Sequence, residues 1–413
     1  MARDAEVIVV GGGVAGCAAA IALARAGVEV AVVGPTAAPA WRVGETVPPR
    51  IRPLLEGLGT WDDFVADGHL PVAGTVSAWG DGEAAERDFL FDPYGPGWHL
   101  DRGRFDAMLA AAATRAGARQ VSGRPVRLAR LPEGGWRLAV DGAHPSELAA
   151  PFVVDATGRS SWAGRACGAR RRVVDRLVGV VAVVRPGPSG ADAGDPRTFV
   201  EAVEDGWWYT AVVPGGAVVA AWMTDADLLP ARPVYPAQAW AAGLAHAPRT
   251  APRLGGAAPD VVAAVRVVAA GSSALFPPAG DGWMAVGDAA ATMDPLSSSG
   301  IATALASGRA AATALTATLA GDAGAIPAYA ATAVTGYARY LASRTGYYAL
   351  EQRWPAAPFW RRRHSRLAPA TAVPDDLVQE ERHAPPEDRL LRHLPRHRDR
   401  PPGQQPRRLL RRA

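Results

Sequence analysis

Apolar positions at the start of the chain run continuously instead of alternating. Residues 6–10 form a β-branched run, and a glycine-rich turn fills 11–16. Small residues at 17–26 read as a helix ended by Gly27, and 28–33 form a second apolar run. Continuous runs of this kind suit strands buried on both faces of a parallel sheet. Beyond residue 40 the regular strand–helix alternation stops. Short strands are expected at 72–79, 121–128, 136–140 and 152–155. A longer series follows at 177–184, 198–203, 207–213, 217–223 and 261–269, punctuated by Gly and Pro. Helices are expected at 49–58, 104–116, 236–245 and 300–319, with two more between 327 and 352.

This order predicts an α/β fold. A Rossmann-like nucleotide-binding domain is assembled from 1–66, 98–174 and 272–325. An antiparallel sheet from 67–97 and 175–271 is inserted into it as a substrate domain. C-terminal helices occupy 326–363, and a disordered Arg- and Pro-rich tail is expected at 364–413.

Composition changes the picture in two places. All 44 basic residues are arginine, against 40 acids, and the 413 residues contain no lysine. Eleven of the arginines and seven of the acids lie in the tail, which leaves 33 of each sign in the neutral body. The excess positive charge is therefore a tail property and gives the body no nucleic-acid-binding character. Two cysteines exclude a disulfide framework and fit a reducing, cytoplasmic location. No apolar run is long enough to span a membrane, and the first strand begins too early for a signal peptide.

Gly11-Gly12-Gly13-Val14-Ala15-Gly16 has the G-x-G-x-x-G spacing between a strand and a helix, the setting in which that spacing indicates dinucleotide binding. Gly11 permits the tight turn, Gly13 admits a pyrophosphate, and Gly16 allows close helix packing. The acid expected at the end of the second strand is replaced by Gly34, which leaves backbone groups or Arg42 to hold the adenosine ribose. Asp155-Ala156-Thr157-Gly158 ends another buried strand in a small-residue turn. A third apolar strand delivers Gly287 and Asp288 into a turn, where a carboxylate can accept bonds from ribityl hydroxyls. Asp294-Pro295-Leu296-Ser297-Ser298-Ser299-Gly300-Ile301 then opens a long helix whose free N–H groups favour a ring that gains negative charge on reduction.

These motifs, in this order and spacing, resemble the FAD-dependent monooxygenases of the hydroxybenzoate-hydroxylase fold. Val43-Gly44-Glu45-Thr46-Val47-Pro48-Pro49 and the run from Asp294 to Gly300 are similar to the tryptophan-halogenase branch. Asp205-Gly206-Trp207-Trp208-Tyr209-Thr210 and the Arg353-Trp354-Pro355 to Arg363 segment resemble a sub-branch that includes flavoproteins hydroxylating a protein-borne tryptophan. The resemblance covers residues 5–363. It implies FAD contacts from Gly11, Gly13, Val14, Ala15 and Gly16 at the diphosphate, with Arg42 and Arg102 flanking the diphosphate or the ribityl chain. Val126 would meet the adenine through its backbone, and Asp288 the ribityl hydroxyls. Asp155, Ala156, Gly158 and Gly287 are further cofactor-binding candidates, the tip of the 155–158 turn suiting close approach to a diphosphate or ribose. Pro295, Ser298, Ser299, Gly300 and Ile301 would lie at the pyrimidine end, with Gly44, Glu45 and Thr46 beside the ring. For Arg102 an ion pair with Asp101 or Asp106 is the competing reading.

Halogenases of the branch use an active-site lysine, for which this chain has no candidate, and a guanidinium does not deprotonate near neutrality. The resemblance therefore implies an FAD-dependent monooxygenase hydroxylating an aromatic: indole or tryptophan, free or within a peptide or protein. Electrons would come from NAD(P)H directly or through a separate flavin reductase. Trp207 and Trp208 are candidate substrate-binding walls, unless they fill the sheet core. Glu45, Tyr209 and Asp294 are the candidate catalytic groups; for Glu45 and Asp294 an ion pair with Arg42 or another arginine is the alternative. Three other functions fit the same motifs: a halogenase without lysine, a geranylgeranyl-reductase-like flavin reductase, and a non-catalytic flavin-binding scaffold.

Overall fold

The computed structural model describes residues 4–35, 43–185, 195–229, 236–255 and 260–365. Arg42 and 366–413, most of the expected tail, lie outside them. His364 itself closes a short helix, Pro358–His364.

The opening runs form the centre of a six-stranded sheet. Its order is Ala279–Gly280, Trp283–Ala285, Phe152–Asp155, Val7–Val10, Val30–Gly34 and Arg119–Ser122, parallel except for the edge hairpin. Val7 to Val10 are fully buried, as continuous strands in a two-faced sheet must be. Three strand ends are brought side by side, because Val10 pairs with both Asp155 and Val33. The glycine turn, the 155–158 turn and the end of the second strand therefore share one edge, the place where such sheets bind ligands.

Helix Val14–Arg25 covers one face and packs against the long helix Gly300–Leu319. Small residues make this packing possible. A Cβ on Gly308 would lie 2.4 Å from the Ala15 carbonyl oxygen, so the two backbones touch.

The second sheet has seven strands, ordered Asp260–Ala269, Leu177–Arg185, Val218–Asp225, Gly206–Val212, Thr198–Val203, Gly74–Ala78 and Ala84–Asp88. It corrects the antiparallel expectation at one place: Thr198–Val203 and Gly74–Ala78 run parallel. The two strands are more than a hundred residues apart in sequence, so no hairpin forces them to be antiparallel. The two helices expected after 327 are one helix, Ala325–Ala349. Pro327 lies in its first turn, where no helical N–H is lost, and Gly336 does not interrupt it. Side chains of this helix and of Pro358–His364 pack on the second sheet, around Trp207, Tyr348, Phe359 and Trp360.

Candidate flavin site

A cavity of about 1010 Å³ opens at the shared strand edge and reaches the second sheet. Gly11, Gly13, Val14 and Ala15 line it, as do Ala156, Gly158 and Asp288. Gly11 sits at φ +115°, and a Cβ there would lie 2.2 Å from the Ala156 carbonyl oxygen, so only glycine keeps the two turns in contact. Gly13 caps its helix without a side-chain bond, which leaves first-turn N–H groups for an anion. The Asp288 carboxylate is 45% exposed and 3.8 Å from Arg159, while its backbone carbonyl is held by Arg171. Far along the cavity, Pro295, Ser298, Ser299, Gly300 and Ile301 form the start of the long helix. Ser298 takes the left-handed conformation at φ +45°. An elongated space with an uncapped helix start, an exposed acid and a second helix start fits a dinucleotide bearing a redox ring.

The loop at Gly44, Glu45 and Thr46 forms another wall. Arg102 fixes it by donating to the Val43 carbonyl at 2.5 Å and the Gly44 carbonyl at 3.2 Å, and pairs with Asp106 at 3.2 Å. Glu45 is 4% exposed, and among the described residues its Oε1 has no hydrogen-bond partner. Burial pushes its carboxyl up to about 7, against the opposing Arg102 charge.

Behind the loop runs a chain of hydroxyls. Tyr209 Oη is 2.6 Å from Thr46 Oγ1, Thr46 3.2 Å from Thr198 Oγ1, and Thr198 2.8 Å from His99 Nε2. His99 Nδ1 lies 2.7 Å from the Val212 carbonyl oxygen, which only accepts, so the ring proton is on Nδ1. Burial holds His99 down at about 4 and thus neutral. Nε2 then accepts from Thr198, Thr198 from Thr46, and Thr46 from Tyr209. Burial, followed by the Glu45 charge, raises the Tyr209 phenol above its usual range, so it remains protonated.

Several expected contacts lie elsewhere. Trp207 and Trp208 are fully buried and line no part of the cavity. Trp208 stacks with Trp222, and Trp207 donates to Tyr348 Oη at 3.0 Å, so both fill the sheet core. The cavity wall is instead aliphatic: Val181, Val219, Ala221, Met223 and Val268 surround Tyr209. Asp294 borders the cavity, but its 1% exposed carboxylate is engaged by Arg344 Nε at 3.0 Å and Tyr348 Oη at 2.8 Å. That ion pair occupies the carboxylate and argues against a catalytic role.

Val126 is exposed and faces a separate shallow pocket; its neighbours Arg124 and Pro125 line the main cavity. Asp155 and Gly287 stand behind the wall. The Asp155 carboxylate accepts from the Thr157 and Gly164 N–H groups and shapes the turn. Gly16 packs against the Gly11 carbonyl, out of the cavity. Arg159, the Thr198–His99 chain and the aliphatic wall were not legible in advance. The wall's strands are apolar on both faces, and pattern alone does not say which face meets the cavity.

Fold and site define a flavoprotein whose cofactor cleft runs from the six-stranded sheet to the seven-stranded one. The chain matches the FAD binding domain family over residues 4–226, and it belongs to that family. It is 29% identical over 366 residues to the FAD-dependent oxidoreductase LodB of Marinomonas mediterranea, covering 87% of this chain and 97% of the relative. A tryptophan 2-halogenase of Chondromyces crocatus is 32% identical over 155 residues, 38% of this chain and 27% of that enzyme. Among solved structures, the flavin-dependent halogenase CmlS shares the fold at a TM-score of 0.78 and 24% identity, covering 92% of this chain and 70% of CmlS. The peptidyl tryptophan dihydroxylase QhpG does so at 0.73 and 26% identity, covering 90% of this chain and 81% of QhpG. The protein is thus a flavin-dependent oxidoreductase of the tryptophan-halogenase-like superfamily, with FAD as its cofactor. Among the described residues no helix is long and apolar enough to cross a membrane.

Proposed function

We propose that the protein is an FAD-dependent monooxygenase that hydroxylates an aromatic ring, an indole or tryptophan carried in a peptide or protein. The carrying observation is the cavity that joins the flavin cradle to an aliphatic sheet face, with Glu45 as a buried carboxyl between them whose Oε1 has no hydrogen-bond partner among the described residues. Likeness to the peptidyl tryptophan dihydroxylase QhpG supports the substrate class. The absence of lysine in these 413 residues speaks against lysine-dependent halogenation.

FAD, held by the glycine turns and the start of the long helix, would supply the oxygen-activating redox chemistry, one atom of O2 going to the ring and the other leaving as water. The reducing equivalents come from NAD(P)H, directly or through a separate flavin reductase. The protein's own part is to bind, orient and exclude water. Val181, Val219, Ala221 and Val268 make an apolar surface on which an indole can lie, and among the described residues no charged side chain of the sheet lines it. Glu45, ionised on one side of its raised pKa and neutral on the other, takes the proton released from the hydroxylated carbon.

The test supplies the purified chain with FAD, NADH and a flavin reductase, and offers tryptophan and tryptophan-containing peptides under air with bromide present. Mass gain of oxygen on the peptide supports the proposal. Mass gain of bromine establishes halogenation instead, the reading favoured by CmlS and the Chondromyces enzyme. Oxygen-independent turnover would point to a saturating reductase.

A further inference from the structure

Three side chains spaced four residues apart on the helix Ala325–Ala349 converge on Asp294. They are Tyr340, Arg344 and Tyr348, which this spacing places on one face. Tyr340 Oη accepts the Asp294 N–H at 2.6 Å. Arg344 Nε donates to Asp294 Oδ2 at 3.0 Å and its Nη2 pairs with Asp175 at 2.7 Å. Tyr348 Oη donates to the same Oδ2 at 2.8 Å.

The remaining carboxylate oxygen of Asp294 accepts the Leu296 N–H at 3.0 Å, which closes the short turn Pro295–Ser297. That turn carries the chain into left-handed Ser298 and on to Ser299 and Gly300, the cavity wall at the start of the long helix. Tyr348 has a second partner. The Trp207 indole N–H can only donate and the Asp294 carboxylate can only accept, so the Tyr348 hydroxyl accepts from one and donates to the other. Trp207 lies two residues before Tyr209 on the strand Gly206–Val212. A bridge of two hydrogen bonds thus joins the substrate-side strand to the flavin-side turn.

We propose that Arg344 and Tyr348 are positioning residues for the flavin-facing turn 295–300, acting through Asp294, and that Tyr348 couples this turn to the strand bearing Tyr209. The inference requires FAD in the cavity and is independent of which substrate is oxidised. A buried carboxylate that loses one of its donors moves or draws in water, and the turn it holds loses its set position. The consequence falls on cofactor affinity and on the stabilisation of the reduced ring, not on chemistry alone.

The experiment uses the full chain. FAD affinity is measured by fluorescence titration of the apoprotein, the flavin midpoint potential by dye equilibration, and folding by circular dichroism. Tyr348→Phe removes one oxygen atom and is expected to weaken FAD binding about tenfold and shift the potential, with the fold retained. Tyr348→Phe combined with Asp294→Asn is expected to be no worse than Asp294→Asn alone, because both act through one contact. Arg344→Lys is expected to keep more affinity than Arg344→Met. If Arg344→Met does not fold, Tyr348→Phe carries the test. Trp207→Phe, which cuts only the sheet end of the bridge, is expected to shift the potential in the same direction; an unshifted potential overturns the coupling. Variants that lower the melting temperature but leave FAD affinity and potential unchanged, or that act additively, overturn the inference. A wild-type chain that binds no FAD would overturn the functional reading together with it.

Discussion

The hydroxyl of Tyr209 meets the hydroxyl of Thr46 at 2.6 Å, across 163 residues of sequence, and this contact ties the second sheet to the loop that carries Glu45. Because the chain of donors ends on the Val212 carbonyl, every hydroxyl between has one set direction. The loop is thereby held from the sheet side by Tyr209 and from the helix side by Arg102, which binds the carbonyls of Val43 and Gly44.

Tyr209→Phe should leave Thr46 with an unanswered lone pair and remove one of its two side-chain ties to the sheet, the contact with Thr198 remaining. The expected loss of stability is about 1 kcal/mol, measured by denaturant unfolding. FAD binding, which rests on the glycine turns, should persist. The fraction of reducing equivalents lost as hydrogen peroxide should rise, because a looser loop admits water. An unchanged peroxide fraction would remove Tyr209 from the site.

Glu45→Gln tests the buried carboxyl by stability and by rate. Its pKa in the folded chain is about 7, against an ordinary value of 4.5. Below 4.5 both states hold the proton. Between 4.5 and 7 the unfolded chain releases it while the folded chain retains it, so this group's contribution to stability falls as pH rises, and levels off above 7. Glutamine lacks this titration. The variant should match wild type near pH 4 and exceed it at pH 8 by on the order of 3 kcal/mol. In turnover, wild type should gain rate through an apparent pKa near 7. The variant should lose at least about a hundredfold and show no such step.

Gly11→Ala asks whether the glycine turn is a requirement of geometry. The added Cβ would meet the Ala156 carbonyl at 2.2 Å, in a backbone region that disfavours any side chain. Both turns must separate, and they carry one end of the cavity. Protein purified with this change should lack flavin absorbance or fail to fold. Full occupancy with FAD would show that the Gly11–Ala156 contact is dispensable.

How much of this was readable in advance divides along a physical line. Local rules reached the parallel sheet and the glycine turn, because continuous β-branched runs and a fixed glycine spacing depend on neighbours in sequence. They reached helix Gly300–Leu319 with its boundaries for the same reason. They did not reach what depends on distant partners. Whether Trp207 or Tyr209 faces the cavity is decided by Tyr348, about 140 residues away, which takes the Trp207 N–H into the core. Asp294 carries a chemistry-bearing side chain in a loop of the right composition, yet Arg344 and Tyr348 claim its carboxylate. The parallel pairing of Thr198–Val203 with Gly74–Ala78 is likewise set by a crossover that no local pattern records.

Ala221→Trp separates the substrate end of the cavity from the flavin end. Ala221 is buried on a strand that pairs with the strand of Tyr209, and it contributes a methyl group to the aliphatic wall. An indole there would fill the space in which the proposed substrate ring lies, while the glycine turns and Asp288 stand at the other end. FAD content should therefore stay near wild type, and the flavin should still be reduced. Hydroxylation of a tryptophan peptide should fall more than about tenfold, mainly through KM, since loss of an apolar pocket contact of this size costs ~1–3 kcal/mol. A smaller aromatic such as phenol should retain more activity than the peptide. Equal loss of FAD and of turnover would mean that flavin and substrate do not divide the cavity in this way, and unimpaired peptide hydroxylation would place the substrate on a different wall.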